Sequence, residues 1–195
     1  SGSDSSPIVW KTKPQTKALI SGGTLLQNLQ PITDSILLDR LSENCRSHIL
    51  WTDLKEQGIN NLGTIAQQGS PGLEVFYKGK RMPRARFPRT EWLKIADVSQ
   101  EGSTCFNQGL EREKRFRNVP VGRHFGKISY DDDRPGKWSP DNQIFLHGYW
   151  TWDWSDSFQR VASIDSKKRE ITIAEPHHSH GYTTNQRYAF LNVLE

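Results

Sequence analysis

Long apolar runs are missing from this sequence. No stretch approaches the roughly 18 consecutive apolar residues that span a bilayer, and residues 1–20 contain nothing like the apolar core of a signal peptide. A membrane-spanning helix is excluded, and no membrane partner is expected. Cysteine is scarce: Cys45 and Cys105 are the only two, spaced for neither a metal site nor a redox dithiol. They could close one disulfide in an exported protein, although the unpaired state is the favoured reading. Neither charge sign dominates, since 26 Lys and Arg face 22 Asp and Glu for a net charge of +4. The pI near 9.1 tilts the partner toward polyanions without naming one.

Motifs of catalysis are also missing. There is no Gly-x-Ser-x-Gly elbow, no phosphate-binding loop, no dinucleotide glycine fingerprint and no His-Glu-x-x-His pair. No cofactor is therefore expected. Paired carboxylates for glycoside cleavage are not legible this way, because their separation in space is what matters. Solenoid-period repeats and low-complexity tracts are absent as well.

What the chain does hold is aromatic rings and short alternating runs. Its 195 residues are 34% hydrophobic and 10% aromatic, with seven Trp and one Met, which suits a single β-rich folded domain. The opening "SGSDSS", residues 1–6, reads as linker or cloning remnant, and "RYAFLNVLE" at the other end reads as ordered chain. An excised piece of a longer protein is the expectation, with residues 7–195 as one domain. Apolar runs at 8–10, 18–21, 48–54, 73–77, 92–98, 125–130 and 144–152 are separated by Gly, Pro, Asn and Asp, the pattern of many short strands. "RVASI" and "ITIA" flank "DSKKRE" as a hairpin, and "RYAFLNV" is a further strand. Only "TDSILLDRLSE" at 33–43 reads as a helix, with Thr33 or Asp34 as N-cap and Ile36, Leu37 and Leu41 on one face. The fold class is all-β with one short helix. The segments 99–124 and 131–142 are the least patterned.

"HGYWTWDWSD" at 147–156 is the densest aromatic stretch. On an extended strand Trp150, Trp152 and Trp154 share one face, about 7 Å apart. Such a ladder could line a core, stack sugar rings or dock another domain; the core reading is favoured, with His147, Tyr149, Thr151 and Asp153 turned outward. "YKGKRMPRARFPRTEW" at 77–92 interleaves Lys78, Lys80, Arg81, Arg84, Arg86 and Arg89 with Phe87, Pro88 and Trp92. Arginines so placed can hold carboxylate or sulfate groups, yet a solvated hairpin with "YKGKR" as its turn explains them too. "EREKRFRN" at 111–118 alternates sign and reads as surface. Neither cluster matches a nucleic-acid motif, so no nucleic-acid partner is expected. His177, His178 and His180 lack zinc spacing and read as a polar turn, and Asp131, Asp132 and Asp133 read as a charged turn rather than a calcium loop.

Segment order then carries a resemblance. "ALISGGTLL", "PITDSILLDRL", "ILWTDLKEQGINNLG", "LEVFYKGKRMPRARFPRTEWLKIADV", "FLHGYWTWDWSD", "ITIAEP" and "RYAFLNVLE" follow one another in a way that resembles the N-terminal part of secreted right-handed parallel β-helix proteins. That pectate-lyase-like superfamily includes glycoside hydrolases and polysaccharide lyases, and some members carry a β-rich domain inserted in the early coils. The likeness covers residues 7–195 and rests on segment order more than on a motif. It implies that Ile20 to Gly23 belong to an early coil, that the following segment is the inserted domain, and that the catalytic carboxylates lie on the β-helix beyond this chain. The insert-like part is too large for a coil and no repeated rung follows it, so a β-sandwich-like domain fits better.

The resulting expectation is a non-catalytic, carbohydrate-binding module of a secreted, extracellular polysaccharide-degrading protein. Its parent would be a glycoside hydrolase or polysaccharide lyase, its partners a polysaccharide, preferably acidic or sulfated, and the parent's own β-helix domain. Lys78, Lys80, Arg81, Arg84 and Arg86 would supply charge, while Trp138 or Trp92 would supply a stacking face. Trp138 is chosen because it sits in a loop, "PGKWSPDN". The rival readings are a purely structural domain that shapes the cleft of the β-helix, and a wall of the enzyme's active site.

Overall fold

The computed structural model describes residues 2–18, 21–64, 72–98, 122, 125–139 and 143–193. Cys105, the basic run 111–118 and Leu19 with Ile20 lie outside them, so the Cys45–Cys105 pairing and the early-coil strand belong to residues not described. Within the described residues the chain is mostly β-sheet with short helices, in agreement with the all-β class.

Short strands form where the alternating runs find partners. In the first part, β1 (Gln30–Pro31) pairs with β2 (Leu50–Trp51) in a ladder two residues long. Between them lie α1 (Ser35–Asp39) and α2 (Glu43–Arg46). The helix expected over 33–43 is thus cut short. Asp34 caps it as anticipated, accepting from Ile36 N at 2.8 Å, but the helix ends at Arg40, leaving Ile36 74% exposed while Leu41 is buried. The run at 8–10 forms no strand, and those at 48–54 and 73–77 shrink to two residues each. A strand persists only where a neighbour satisfies its backbone.

The hairpin of β3 (Phe76–Tyr77) and β4 (Lys80–Arg81) is the one foreseen around "YKGKR". Lys78 and Gly79 both take positive φ, 49° and 75°, which is the primed turn that matches strand twist.

The remaining strands build one continuous ladder. They are β5 (Arg86–Phe87), β6 (Leu93–Lys94), β7 (Asp97–Val98), β8 (Lys127–Ser129), β9 (Phe145–Tyr149), β10 (Asp156–Asp165), β11 (Glu170–Ile173) and β12 (Arg187–Leu191). Their order is β5-β12-β9-β10-β11-β8-β7, with β6 also on β12, and every pairing is antiparallel. The short segment 93–98 closes the circle. Ile95 N donates to the Gln186 carbonyl at 2.8 Å on the β12 side, and Ala96 N donates to the Ser129 carbonyl at 2.9 Å on the β8 side. The ladder therefore closes on β12 as a barrel, with β5 on the same strand. Two separate sheets were expected; instead the two halves share β10 and the 93–98 segment. A register shift between Val161 and Ser163 bends β10 from β9 onto β11.

The interior is filled by alternate residues: Leu146, Trp150, Ile171, Tyr188 and Phe190 are fully buried, as is Ile95. Burial pushes the Tyr182 and Tyr188 hydroxyls well above the ordinary phenol range, because a phenolate would lose its hydration there. The three-tryptophan spine is corrected here. β9 ends at Tyr149, only Trp150 enters the core, and the Ser155 N bond to the Trp152 carbonyl at 3.1 Å turns the chain before a ladder can form. Trp152 is half-buried and Trp154 is 70% exposed.

Gly148 explains how Trp150 fits. Both point inward two residues apart on one face, and a Cβ on Gly148 would stand 2.8 Å from the Trp150 ring. The indole lies over the bare glycine and donates from Nε1 to Ser157 Oγ at 2.9 Å. Gly148→Ala is expected to destabilise the fold by about 1–3 kcal/mol through overpacking, and Trp150→Ala by about 3–5 kcal/mol through a cavity. Urea titration checks both, as a lower midpoint at unchanged slope.

Candidate functional site

The face of the barrel opposite Trp150 carries rings and charges. Side chains alternate along β9, so Leu146, Gly148 and Trp150 turn in while His147 and Tyr149 turn out, as the sequence pattern indicated. Register places Phe158 of β10 and Ala189 of β12 on either side of His147. His147 stacks on Phe158 with centroids 4.5 Å apart and planes 19° from parallel. Its Nε2 lies 2.7 Å from Asp156 Oδ2, an imidazole N–H donating to a carboxylate.

Trp92 comes to this face from the loop after the Phe87-Pro88 bond. It meets His147 at 5.4 Å and Tyr149 at 5.7 Å, the latter edge to face. Two guanidinium groups flank it. That of Arg86 sits 4.7 Å from the Trp92 centroid, and that of Arg187 lies 4.0 Å from the Tyr149 centroid and 5.9 Å from Trp92. Both are cation–π distances. Arg86 also donates to the Pro88 carbonyl, and partial burial lowers its pKa without discharging it. Arg187 reaches Asp153 Oδ1 at 2.6 Å, in a pair exposed enough that its own contribution to stability is small.

A neighbouring turn is held against this face. Thr151 Oγ1 lies between the carbonyls of His180 and Gly181 at 2.9 and 3.0 Å, and Gln186 Nε2 donates to the Thr151 carbonyl at 2.7 Å. Thr183 N donates to the Trp150 carbonyl at 2.9 Å. The histidine turn is more buried than a polar surface turn would be, with His178 and His180 at 6% and 8% exposure. Among the described residues no group of His, Cys, Asp or Glu is arranged to hold a metal ion.

The residues singled out in the sequence do not converge on one spot. Trp92 and Arg86 meet on the outer face. Lys78, Lys80 and Arg81 sit on the separate β3–β4 ladder, where Arg81 is paired with Glu74 and Lys78 Nζ lies 5.2 Å from the Tyr77 ring. Arg84 lines a cleft of about 440 Å³ with Leu62, Leu73, Met82 and Phe145, a mainly apolar surrounding. The loop reading of Trp138 is corrected: the 3-10 turn Pro135–Lys137 delivers its ring edge-on to Phe190 at 4.8 Å and to Phe87 at 5.4 Å, so it packs on the core. Arg187, Tyr149 and Phe158 went unremarked as binding groups. Alternation had already turned Tyr149 outward, but Arg187 becomes its neighbour only through the β9–β12 register.

No protein-family model matches the chain, and no curated protein or solved structure is significantly similar to it. What the face can do follows from its chemistry. Flat apolar rings flanked by two permanent cations suit a ligand with an apolar surface and anionic groups. The His147–Asp156 hydrogen bond holds the imidazole plane against the Phe158 ring.

Burial lowers the pKa of His180, because the imidazolium would lose hydration in its packed turn. The unfolded chain then binds more protons than the folded one once pH falls toward about 6.5 and below. Stability supplied by the neutral ring is present above that pH and lost on acidification. Thermal melts between pH 7.5 and 5 are expected to fall less steeply for His180→Gln than for the unaltered protein, and equal slopes would contradict this assignment.

Proposed function

We propose that this chain is a non-catalytic, carbohydrate-associated module that binds a polysaccharide, with preference for an acidic or sulfated one. One observation carries the reading: Arg86 and Arg187 flank the rings of Trp92 and Tyr149 on an outward sheet face. The C–H face of a pyranose ring is apolar and lies flat on an indole or phenol, while a uronate or sulfate takes guanidinium N–H donors pairwise. Trp92 and Arg86 belong to the residues first chosen from sequence; Tyr149 and Arg187 join them. In this reading the barrel is a sandwich-like domain inserted in a secreted parallel β-helix protein. The chemistry of that glycoside hydrolase or polysaccharide lyase lies on the β-helix.

A second reading has its own support. Large apolar side chains in the first part of the chain stand in solvent: Trp10 is 91% exposed, Leu25 79% and Val9 69%. A purely structural domain would use that surface to pack on its β-helix and shape the cleft, binding no glycan.

Affinity electrophoresis through gels containing polygalacturonate, alginate or neutral xyloglucan separates the two. The binding reading expects retardation in the acidic gels that fades with added salt. Arg187→Ala and Trp92→Ala should each weaken it about tenfold or more, while a Lys78→Ala/Lys80→Ala hairpin variant stays close to the parent. The structural reading expects no retardation in any gel.

A further inference from the structure

We infer that Trp154 forms a second sugar-stacking platform, continuous with the Trp92–Tyr149 face, so that the ligand is an extended oligosaccharide rather than a single sugar. The inference rests on the polysaccharide reading and deepens it. Trp154 contributes nothing to the core, for it is 70% exposed on the β9–β10 turn. It is nevertheless held in place. Its ring lies 6.4 Å from that of Trp152 with planes 21° apart, and His180 meets it edge-on at 5.5 Å. The turn beneath is tied to residues 180–186 by the Thr151, Thr183 and Gln186 hydrogen bonds. An exposed ring already fixed in orientation loses little freedom when a ligand covers it.

Continuity comes from Arg187. Its Nη1 bonds Asp153 Oδ1 at 2.6 Å, the residue between the two turn tryptophans, while its guanidinium covers Tyr149 at 4.0 Å. One side chain therefore joins the exposed turn to the flanked rings. A chain of pyranose units can lay one ring on Trp154, bring hydroxyls to Asp153 and place an anionic unit by Arg187 and Arg86. The turn adds a neutral stacking subsite, and Asp153 next to it disfavours a carboxylate there.

The test is calorimetric titration of the full chain with oligogalacturonide dimer, tetramer and hexamer, beside cello-oligosaccharides of the same lengths. Affinity in the bound series is expected to rise with length. Trp154→Ala should lower hexamer affinity about fivefold to tenfold and leave the dimer within about twofold, with Trp154→Phe between the two and all variants melting at the parent temperature. A length dependence that Trp154→Ala leaves intact, or an equal loss at every length, overturns the second platform alone. Failure of every oligomer in both series to bind overturns the platform and the polysaccharide reading together.

Discussion

The register of β9 between β10 and β12 is the constraint on which the rest of the structure depends. Pairing His147 with Phe158 on one side and with Ala189 on the other fixes which residues face in and which face out. A slip of one residue would turn Trp150 to solvent and carry Tyr149 into the core. The packing of the Trp150 indole over Gly148 opposes that slip, because Gly148 is the β9 position without a Cβ to meet the ring. The same alternation assembles the outer face, so core and candidate site are two sides of one decision about register.

Closure of the ladder supports that register from a distance. The segment 93–98 is too short to be called a long strand, yet it supplies an edge to β12 and another to β8. With Ile95 fully buried between these two contacts, the segment works as a latch whose backbone and side chain are both engaged. The preceding loop brings Trp92 to the outer face immediately before the latch begins. Trp92 is consequently positioned by the element that closes the barrel, while its cation neighbours come from β12, on which that element pairs, and from β5, which pairs with β12 as well.

The legible part of this fold was local. "RVASI" with "ITIA" around "DSKKRE" announced the β10–β11 hairpin, "YKGKR" announced the turn of the β3–β4 hairpin, and Asp34 announced a helix start. What escaped is what non-local contacts decide. Alternation extended through "WTWDW" predicted a ladder of three tryptophans, but nothing in the spacing shows that Tyr149 is the last paired residue or that Trp152 to Ser155 reverse direction. Trp138 was placed in solvent because its neighbours are Pro, Gly and Ser; its contact with Phe190 involves a strand about fifty residues later. The basic run 78–86 looked like one cluster in sequence and divides among a hairpin, a cleft and a barrel strand in space. Charge density along a chain says little about charge density on a surface when a turn follows every few residues.

The two parts of the chain resolve their hydrophobic load differently. From Arg86 onward, apolar residues on the inner positions of the ladder reach near-zero exposure. Trp150 Nε1 is paired with Ser157 and the Tyr182 hydroxyl with Gln159, while the Tyr130 and Tyr188 hydroxyls are buried without a hydrogen-bond partner among the described residues. Before Tyr77, by contrast, Leu41 is the buried large hydrophobic among the described residues, while Trp10, Leu25 and Ile36 are mostly in water. A two-residue ladder and two short helices offer no surface broad enough to cover such side chains. Apolar groups left in water cost free energy in proportion to their area, and the described residues of the first part leave that cost standing. Among the described residues these side chains stay in water, whereas the barrel that carries the candidate site is stabilised by its own core.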